Sequence, residues 1–488
     1  MSAIDQDFLQ RVSLIPPHGL GLSVDVYQPD LFTLVTELDA RRLSPDYLEI
    51  FKASTPALNE VRRRLSSMLL AYHAEGLWVT QPDFVMQPQA GTELMVASEH
   101  LRTLGSWWIN CEGATKQMAG YSFGTYLPPL FTQASAEVTA ENIAWVQERL
   151  DHLAPRAGGV GPLFLLETPP LTYFGFGDLD MAEFFRRVAE RVPCGIVLDI
   201  GHLWTVYRYS ESHRQPSIEH FLRDFLERFP LERVVHIHVA GLAEQHQMQS
   251  CEAAASLSPG LPWWIDAHGA PIPTVLFDML EQVLSHPGLA HTKGLALEVD
   301  TKPVCEIIDE FQLFRDRFAS PVDAALRTPV PSRTSSVSPF HVPDAQAVEH
   351  QRSLLRQYET YVQVVTSDSA AEPDSLPTLW LDRDGLSRYR HVYLPNEILC
   401  WGGDLHAMFP ETCRKLEQAG ISLDAFVGYW FREPRECDPH YDFFELKVNR
   451  FAAFVRETAP QATECVAREA EALLTGYREA CEHVTSDL

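Results

Sequence analysis

The chain has 488 residues, too many for one ordinary domain, and with 45% hydrophobic and 10% aromatic residues it has enough apolar material for more than one core. A formal charge of −27, from 66 acidic and 39 basic residues, repels phosphate backbones and argues against a general nucleic-acid binder. No apolar run approaches the roughly 20 residues that span a bilayer, "MSAIDQDFLQRVSL" lacks the basic start and apolar centre of a signal peptide, and the nine cysteines form no CxxC pair. The expectation is therefore a cytoplasmic protein without a membrane partner, its thiols reduced and mostly buried.

In chain order, short apolar runs alternate with helical-looking stretches. The runs are "GLSVDV" (21–26), "YLEIF" (47–51), "SMLLAYH" (67–73), "LMVASEH" (94–100), "LFLLET" (163–168), "GIVLDI" (195–200), "VVHIHVA" (234–240) and "GLALEVD" (294–300). Amphipathic segments such as "TAENIAWVQERLDHL" and "DMAEFFRRVAERV" lie between them. Eight strand–helix units over 1–318 predict an α/β fold, a (β/α)8 TIM barrel. A doubly wound open sheet is the alternative, weakened because no Gly-rich phosphate loop follows the first strand. Residues 319–346 are rich in Pro and Ser and read as a linker. Residues 347–488 read as a mixed α+β accessory domain, with helices at both ends and strand-like pieces "LPTLWL", "YRHVYL" and "FVGYWF" between them.

Barrel enzymes place their chemistry at the C-terminal strand ends. Here the third expected strand ends at His73, the fourth at Glu99 and His100, the fifth at Glu167, the sixth at Asp199, the seventh at His238 and the eighth at Glu298. The loop after the sixth adds His202, and the loop after the seventh adds Asp266 and His268. Side chains alternate faces along a strand, so Gly195, Val197 and Asp199 share a face, as do Val234, His236 and His238. A single histidine at a strand end is most simply a hydrogen-bonded core residue. Several carboxylates buried on one rim, with few Lys or Arg nearby, are harder to explain that way, because each unpaired one costs several kcal/mol. Metal ions resolve the difficulty. Imidazole and carboxylate without thiolate suits zinc, iron or manganese. Nine donors exceed what one ion takes and fit two or three ions, with Glu167 as the expected bridge. The aromatic stretch 101–130 has two readings, a lid over the site or ordinary packing by Trp107 and Trp108. Cys111 within it is a candidate redox thiol.

The ordered donors His73, His100, Glu167, Asp199 with His202, His238, Asp266 with His268, and Glu298 resemble the zinc ligands of endonuclease IV, within the xylose-isomerase-like barrels. Further motifs resemble the multinuclear non-heme iron-dependent oxidases (MNIO) that modify ribosomally made peptides. These are "GLGLSVD", "YHAEGLW", "SEHL", "LPPLFTQASAEVTAENIAWVQERL", "HIHVAG" and "IDAHGAPIP", spread over roughly residues 18–315. The resemblance implies an oxidoreductase that uses two or three iron ions and dioxygen on a peptide or amino-acid-derived substrate, a cysteine-containing peptide above all. Such oxidases often require a separate partner that binds precursor peptide, and the position of the C-terminal domain, not a motif in it, suggests that it stands in for that partner. The chain departs from that family at Gly201-His202, where the family carries Asn after the Asp. Zinc is the alternative metal, with an endonuclease IV-like phosphodiesterase or a metal-dependent sugar isomerase or epimerase as the alternative activity.

Overall fold

The structure, a computed structural model, describes residues 1–155, 159–170, 174–209, 217–245, 263–266, 268–326, 345–366, 383–400, 402–435 and 442–486. Its strands are β1 (Gly19–Val24), β2 (Tyr47–Phe51), β3 (Leu69–His73), β4 (Trp108–Glu112), β5 (Thr115–Met118), β6 (Tyr121–Leu127), β7 (Leu163–Glu167), β8 (Gly195–Asp199), β9 (Val234–Ala240), β10 (Leu242–Gln245), β11 (Trp263–Asp266) and β12 (Gly294–Glu298). Eight of them close a barrel in the order β1-β2-β3-β4-β7-β8-β9-β12, parallel at every pairing. Helices intervene between successive barrel strands, as in a (β/α)8 barrel. Several start on a side-chain cap that satisfies an otherwise unpaired backbone N–H, as Asp30 does for Thr33 and Asp180 for Glu183.

Alternation along each strand separates two cores. Outward residues such as Leu22, Leu48, Ile109, Leu166, Leu198 and Ile237 pack against the surrounding helices. Inward residues Tyr47, Ala71, Trp108, Leu165, Val197 and Ala296 fill the lumen, and Phe8 and Val12 of the N-terminal helix Ala3–Leu14 pack into the same cluster. That helix is fastened by Arg11, whose guanidinium donates to both oxygens of Asp151 at 2.7 and 2.8 Å. Gly21 lies where a Cβ would collide with the Tyr47 ring, so a glycine there makes room for the lumen tyrosine.

Three expectations are corrected. The run 94–100 is not a strand; it lies inside the helix Pro88–Leu104. Its buried positions Leu94, Ala97, Leu101 and Leu104 recur at helical spacing, and Gly105 ends the helix in the left-handed region at φ 66°. The fourth strand is "WINCE", beyond that glycine. On β9, Val234 faces the helices and Val235 the lumen, because the register with β8 shifts between Ile196 and Val197. In the C-terminal region every described element is helical, not mixed α+β. "FVGYWF" places Phe426, Tyr429 and Trp430 three and four residues apart, on one buried helical face (Asp424–Trp430). "YRHVYL" forms a π-turn (Tyr389–Tyr393) leading into the helix Leu394–Cys400. "LPTLWL" lies outside the described residues.

The helix Val304–Leu326 runs on past residue 318, into the stretch read as linker, and 327–344 lies outside the described residues. The C-terminal helices pack on the β5–β6 hairpin. Tyr358 accepts from the Leu130 amide at 3.0 Å and bonds the Ser135 hydroxyl at 2.9 Å. Tyr389 donates to the Tyr126 carbonyl at 2.9 Å, and Trp430 to the Ser122 carbonyl at 2.6 Å. No helix among the described residues is long and apolar enough to cross a membrane.

Candidate metal centre

The barrel register stacks inward-pointing polar residues on the apolar lumen. Glu49 pairs with Ala71, His73 with Asn110, Glu112 with Glu167, and Asp199 with His238 across neighbouring strands. Two overlapping groups form at the C-terminal rim. His73, Glu167, His238 and Glu298 each offer a ligand atom within 4.8 Å of the others, and so do Glu112, Glu167 and His202. Glu167 belongs to both. A third group, Glu49, His236 and His238, lies beneath the first and shares His238 with it.

Glu167 is wholly buried and organises the rim. Its Oε2 accepts from the Asn110 amide at 2.6 Å and lies 3.3 Å from His73 Nε2. Its Oε1 lies 3.1 Å from His238 Nδ1, which is also 3.2 Å from Glu298 Oε1. Burial alone would raise the Glu167 carboxyl, but His238 and His73 hold it well below the usual carboxylate range. Burial would lower His73, yet Glu167 and its neighbouring carboxylates push it up to about 9. His238 is raised for the same reason, against its burial, by Glu298, Glu167 and Glu49. Glu112 moves up strongly, through burial and the adjacent Glu167 charge.

His202 opens the helix Ile200–Tyr209. Its backbone N–H donates to Asp199 Oδ1 at 2.7 Å, and its Nδ1 lies 2.7 Å from the Thr168 carbonyl. The carbonyl fixes Nδ1 as the protonated nitrogen and leaves the Nε2 lone pair for the group with Glu112 and Glu167. His268 is partly exposed, with Nε2 3.5 Å from Glu298 Oε2 and Nδ1 bonded to Asp300. Asp266 ends β11, and its side chain lies outside the described residues.

His100 is the predicted ligand that the structure does not bring to the rim. Because its segment is helical, its Nδ1 meets the Tyr72 hydroxyl at 2.9 Å and its Nε2 meets Thr55 Oγ1 at 3.2 Å, so both ring nitrogens are engaged elsewhere. Burial lowers it to about 4. In its place β4 supplies Glu112 and Asn110, within the stretch 101–130 expected to be a loop. The signal was present: an apolar strand-like run closed by an acid, directly after the Gly105-Ser106 stop. Glu49 and His236, below the rim, carry no comparable local signal. Trp108 is packing at the barrel floor, not a lid, and Cys111 faces the helices, its thiol raised strongly by burial.

The donor set fits cations. Among the described residues no lysine or arginine pairs with Glu112, Glu167 or Glu298; their ion-pair partners are His73, His238 and His268. Glu112 Oε2 is buried without a hydrogen-bond partner, a position that ordinarily costs about 1–3 kcal/mol. Imidazole and carboxylate donors around shared carboxylates suit zinc, iron or manganese.

Fold and site together define a (β/α)8 barrel with a C-terminal rim able to hold metal ions. Residues 89–316 match the family described as RiPP precursor modification enzyme MbnB/TglH/ChrH, the same family that the sequence motifs resemble. Among similar curated proteins, a UPF0276 protein of Rhizorhabdus wittichii is 26% identical over 202 residues, 41% of this chain and 60% of its own length. A UPF0276 protein of Paraburkholderia phytofirmans is 32% identical over 155 residues, 31% of this chain and 40% of its own. The chain thus spans less than two thirds of either relative. Endonuclease IV from Thermus thermophilus is similar over 62% of this chain and 99% of its own, with 16% identity and a TM-score of 0.38.

Proposed function

We propose that the barrel is a multinuclear iron-dependent oxidase that uses dioxygen to modify a peptide, a cysteine-containing one above all. The observation that carries this reading is the sharing of Glu167 between two donor groups in a chain matching a peptide-modifying enzyme family. His73, Glu167, His238 and Glu298 would hold one ion, and Glu112, Glu167 and His202 a second. Asp199, Asp266 and His268 complete the proposed ligand set. Iron, when bound, supplies the one-electron chemistry toward dioxygen and a thiolate that side chains lack. The protein's part is placement. Asn110 orients Glu167, the Thr168 carbonyl fixes the His202 tautomer, and the buried strand ends keep bulk water from the donors. The C-terminal helices are proposed to bind the peptide, a role supported by their packing on the hairpin that begins just after Glu112.

The test is the metal content of anaerobically purified protein, followed by Mössbauer and EPR spectroscopy. Two or three irons per chain and dioxygen consumption with a cysteine-containing peptide are expected. Stoichiometric zinc without dioxygen consumption would refute the oxidase. A zinc phosphodiesterase is the second reading, favoured by one observation: an imidazole, His202, stands in the second group. Hydrolysis of abasic-site DNA by the zinc-loaded protein would establish it.

A further inference from the structure

Glu49 lies in the lumen one layer below the rim, and neither its side chain nor that of His236 or His238 reaches solvent. Its two oxygens are already engaged. Oε1 accepts from the Trp108 indole N–H at 3.2 Å, and an indole nitrogen can only donate. Oε2 accepts from the Ser23 hydroxyl at 3.0 Å and lies 2.7 Å from His238 Nε2. His236 Nε2 bonds the Tyr47 hydroxyl, while its Nδ1 lies 3.5 Å from Glu49 Oε1 without a hydrogen bond. Its ring also stands edge-on to His238, with centroids 4.4 Å apart at 82°. A carboxylate surrounded by donors in this way is a poor metal ligand.

We propose that Glu49 is a positioning residue that holds His238 from below, so that His238 meets a metal ion through Nδ1. The inference rests on the metal-site reading above. In the structure His238 Nδ1 bonds Glu167 Oε1 at 3.1 Å, and Nε2, 2.7 Å from Glu49 Oε2, makes no aligned hydrogen bond. An ion taken at Nδ1, which looks toward Glu167 Oε1 and Glu298 Oε1 at 3.1 and 3.2 Å, leaves the ring proton on Nε2, on the side of Glu49. A carboxylate behind a ligating imidazole fixes the ring and its tautomer and strengthens it as a donor. Ser23 and Trp108 hold Glu49 in turn, so the support reaches down into the apolar floor. The lower group is then a support for the upper one, not a third cation site.

Zinc(II), a redox-silent probe, is titrated into chelator-stripped full-length protein in competition with a chromophoric chelator. Glu49→Gln has one acceptor oxygen where two sides need one. It should keep the number of bound zinc ions while weakening the most affected site about 10–100-fold. Ser23→Ala removes one support of Glu49 and should weaken that site by a smaller factor. It serves as the second variant should Glu49→Gln fail to fold, which apoprotein melting and near-UV circular dichroism reveal. In zinc-loaded protein labelled with 15N-histidine, long-range N–H correlation should place the metal on His238 Nδ1 and the proton on Nε2. Loss of a whole zinc equivalent in Glu49→Gln would make Glu49 a ligand and overturn the proposal. So would affinities within about twofold of wild type in both variants, or zinc on His238 Nε2. A wild-type protein that takes up neither zinc nor iron would instead overturn the metal-site reading, and this inference with it.

Discussion

Glu112→Gln should have opposite effects on the metal-free and metal-loaded protein. Glu112 and Glu167 sit opposite each other on β4 and β7, and each offers an oxygen within 4.8 Å of the other. Two unit charges at 4.8 Å repel by about 3 kcal/mol at an effective dielectric of about 20. The metal-free protein limits this cost by keeping Glu112 protonated: burial, and then the Glu167 charge, raise its carboxyl well above the ordinary 4.5. The sign follows: the unfolded chain releases this proton more readily than the folded one, so stability falls as pH rises above the ordinary carboxylate range. An amide of the same shape removes the penalty. Chelator-stripped Glu112→Gln should be more stable than wild type by about 1–3 kcal/mol at pH 7, raising the melting temperature by a few degrees. It should gain nothing at pH 4. The same variant should bind zinc or iron at least about tenfold more weakly, having lost a charged donor. The assays are calorimetric melting at the two pH values and metal titration. Equal melting temperatures at pH 7, or a gain that persists at pH 4, would show that the two carboxylates do not repel in the fold.

The displaced histidine gives a direct check, because His100→Gln should leave metal stoichiometry unchanged while lowering stability by about 1–3 kcal/mol through its lost buried bonds; loss of a metal equivalent would return it to the ligand set. Asn110→Ala strips Glu167 of its 2.6 Å amide bond and should weaken metal binding about 10–100-fold with the fold intact, as titration and circular dichroism would report. His18 is lowered to about 4 by burial, so it charges more readily unfolded than folded. Its stabilising contribution should be full above about pH 6.5 and lost as pH falls toward 4, up to about 3 kcal/mol in all; His18→Asn should flatten that part of the stability–pH curve. Tyr358→Phe removes bonds to Leu130 and Ser135 and should cost about 1–3 kcal/mol, with faster amide exchange concentrated in residues 128–135; uniform exchange across the barrel would contradict it.

The barrel was legible where strands are buried on both faces. "LFLL", "GIVLD" and "GLALE" read as unbroken apolar runs closed by an acid, and each forms a strand ending at its predicted donor. "LMVASEH" misled because helical and strand patterns overlap in a short apolar run. What decides between them is the spacing of Leu94, Ala97, Leu101 and Leu104 over the longer window, with Gly105 as the stop. That one segment put His100, not Glu112, among the expected donors. Lumen chemistry below the rim was obscured differently. Glu49 sits inside "YLEIF", where local pattern gives no reason for an acid, and its partners Ser23, Trp108 and His238 come from three other strands. Only closure of the barrel brings them together. In the C-terminal region, aromatic density suggested strands, yet Phe426, Tyr429 and Trp430 pack from one side of a helix.

Phe8 and Val12 of the N-terminal helix and Trp108 of β4 stopper the barrel at the end opposite the rim. Among the described residues, the floor of the barrel is thus filled with apolar side chains beneath the donors. A filled floor ties the donors to the N-terminal helix, so loosening that helix should be felt at the rim as well as in the lumen.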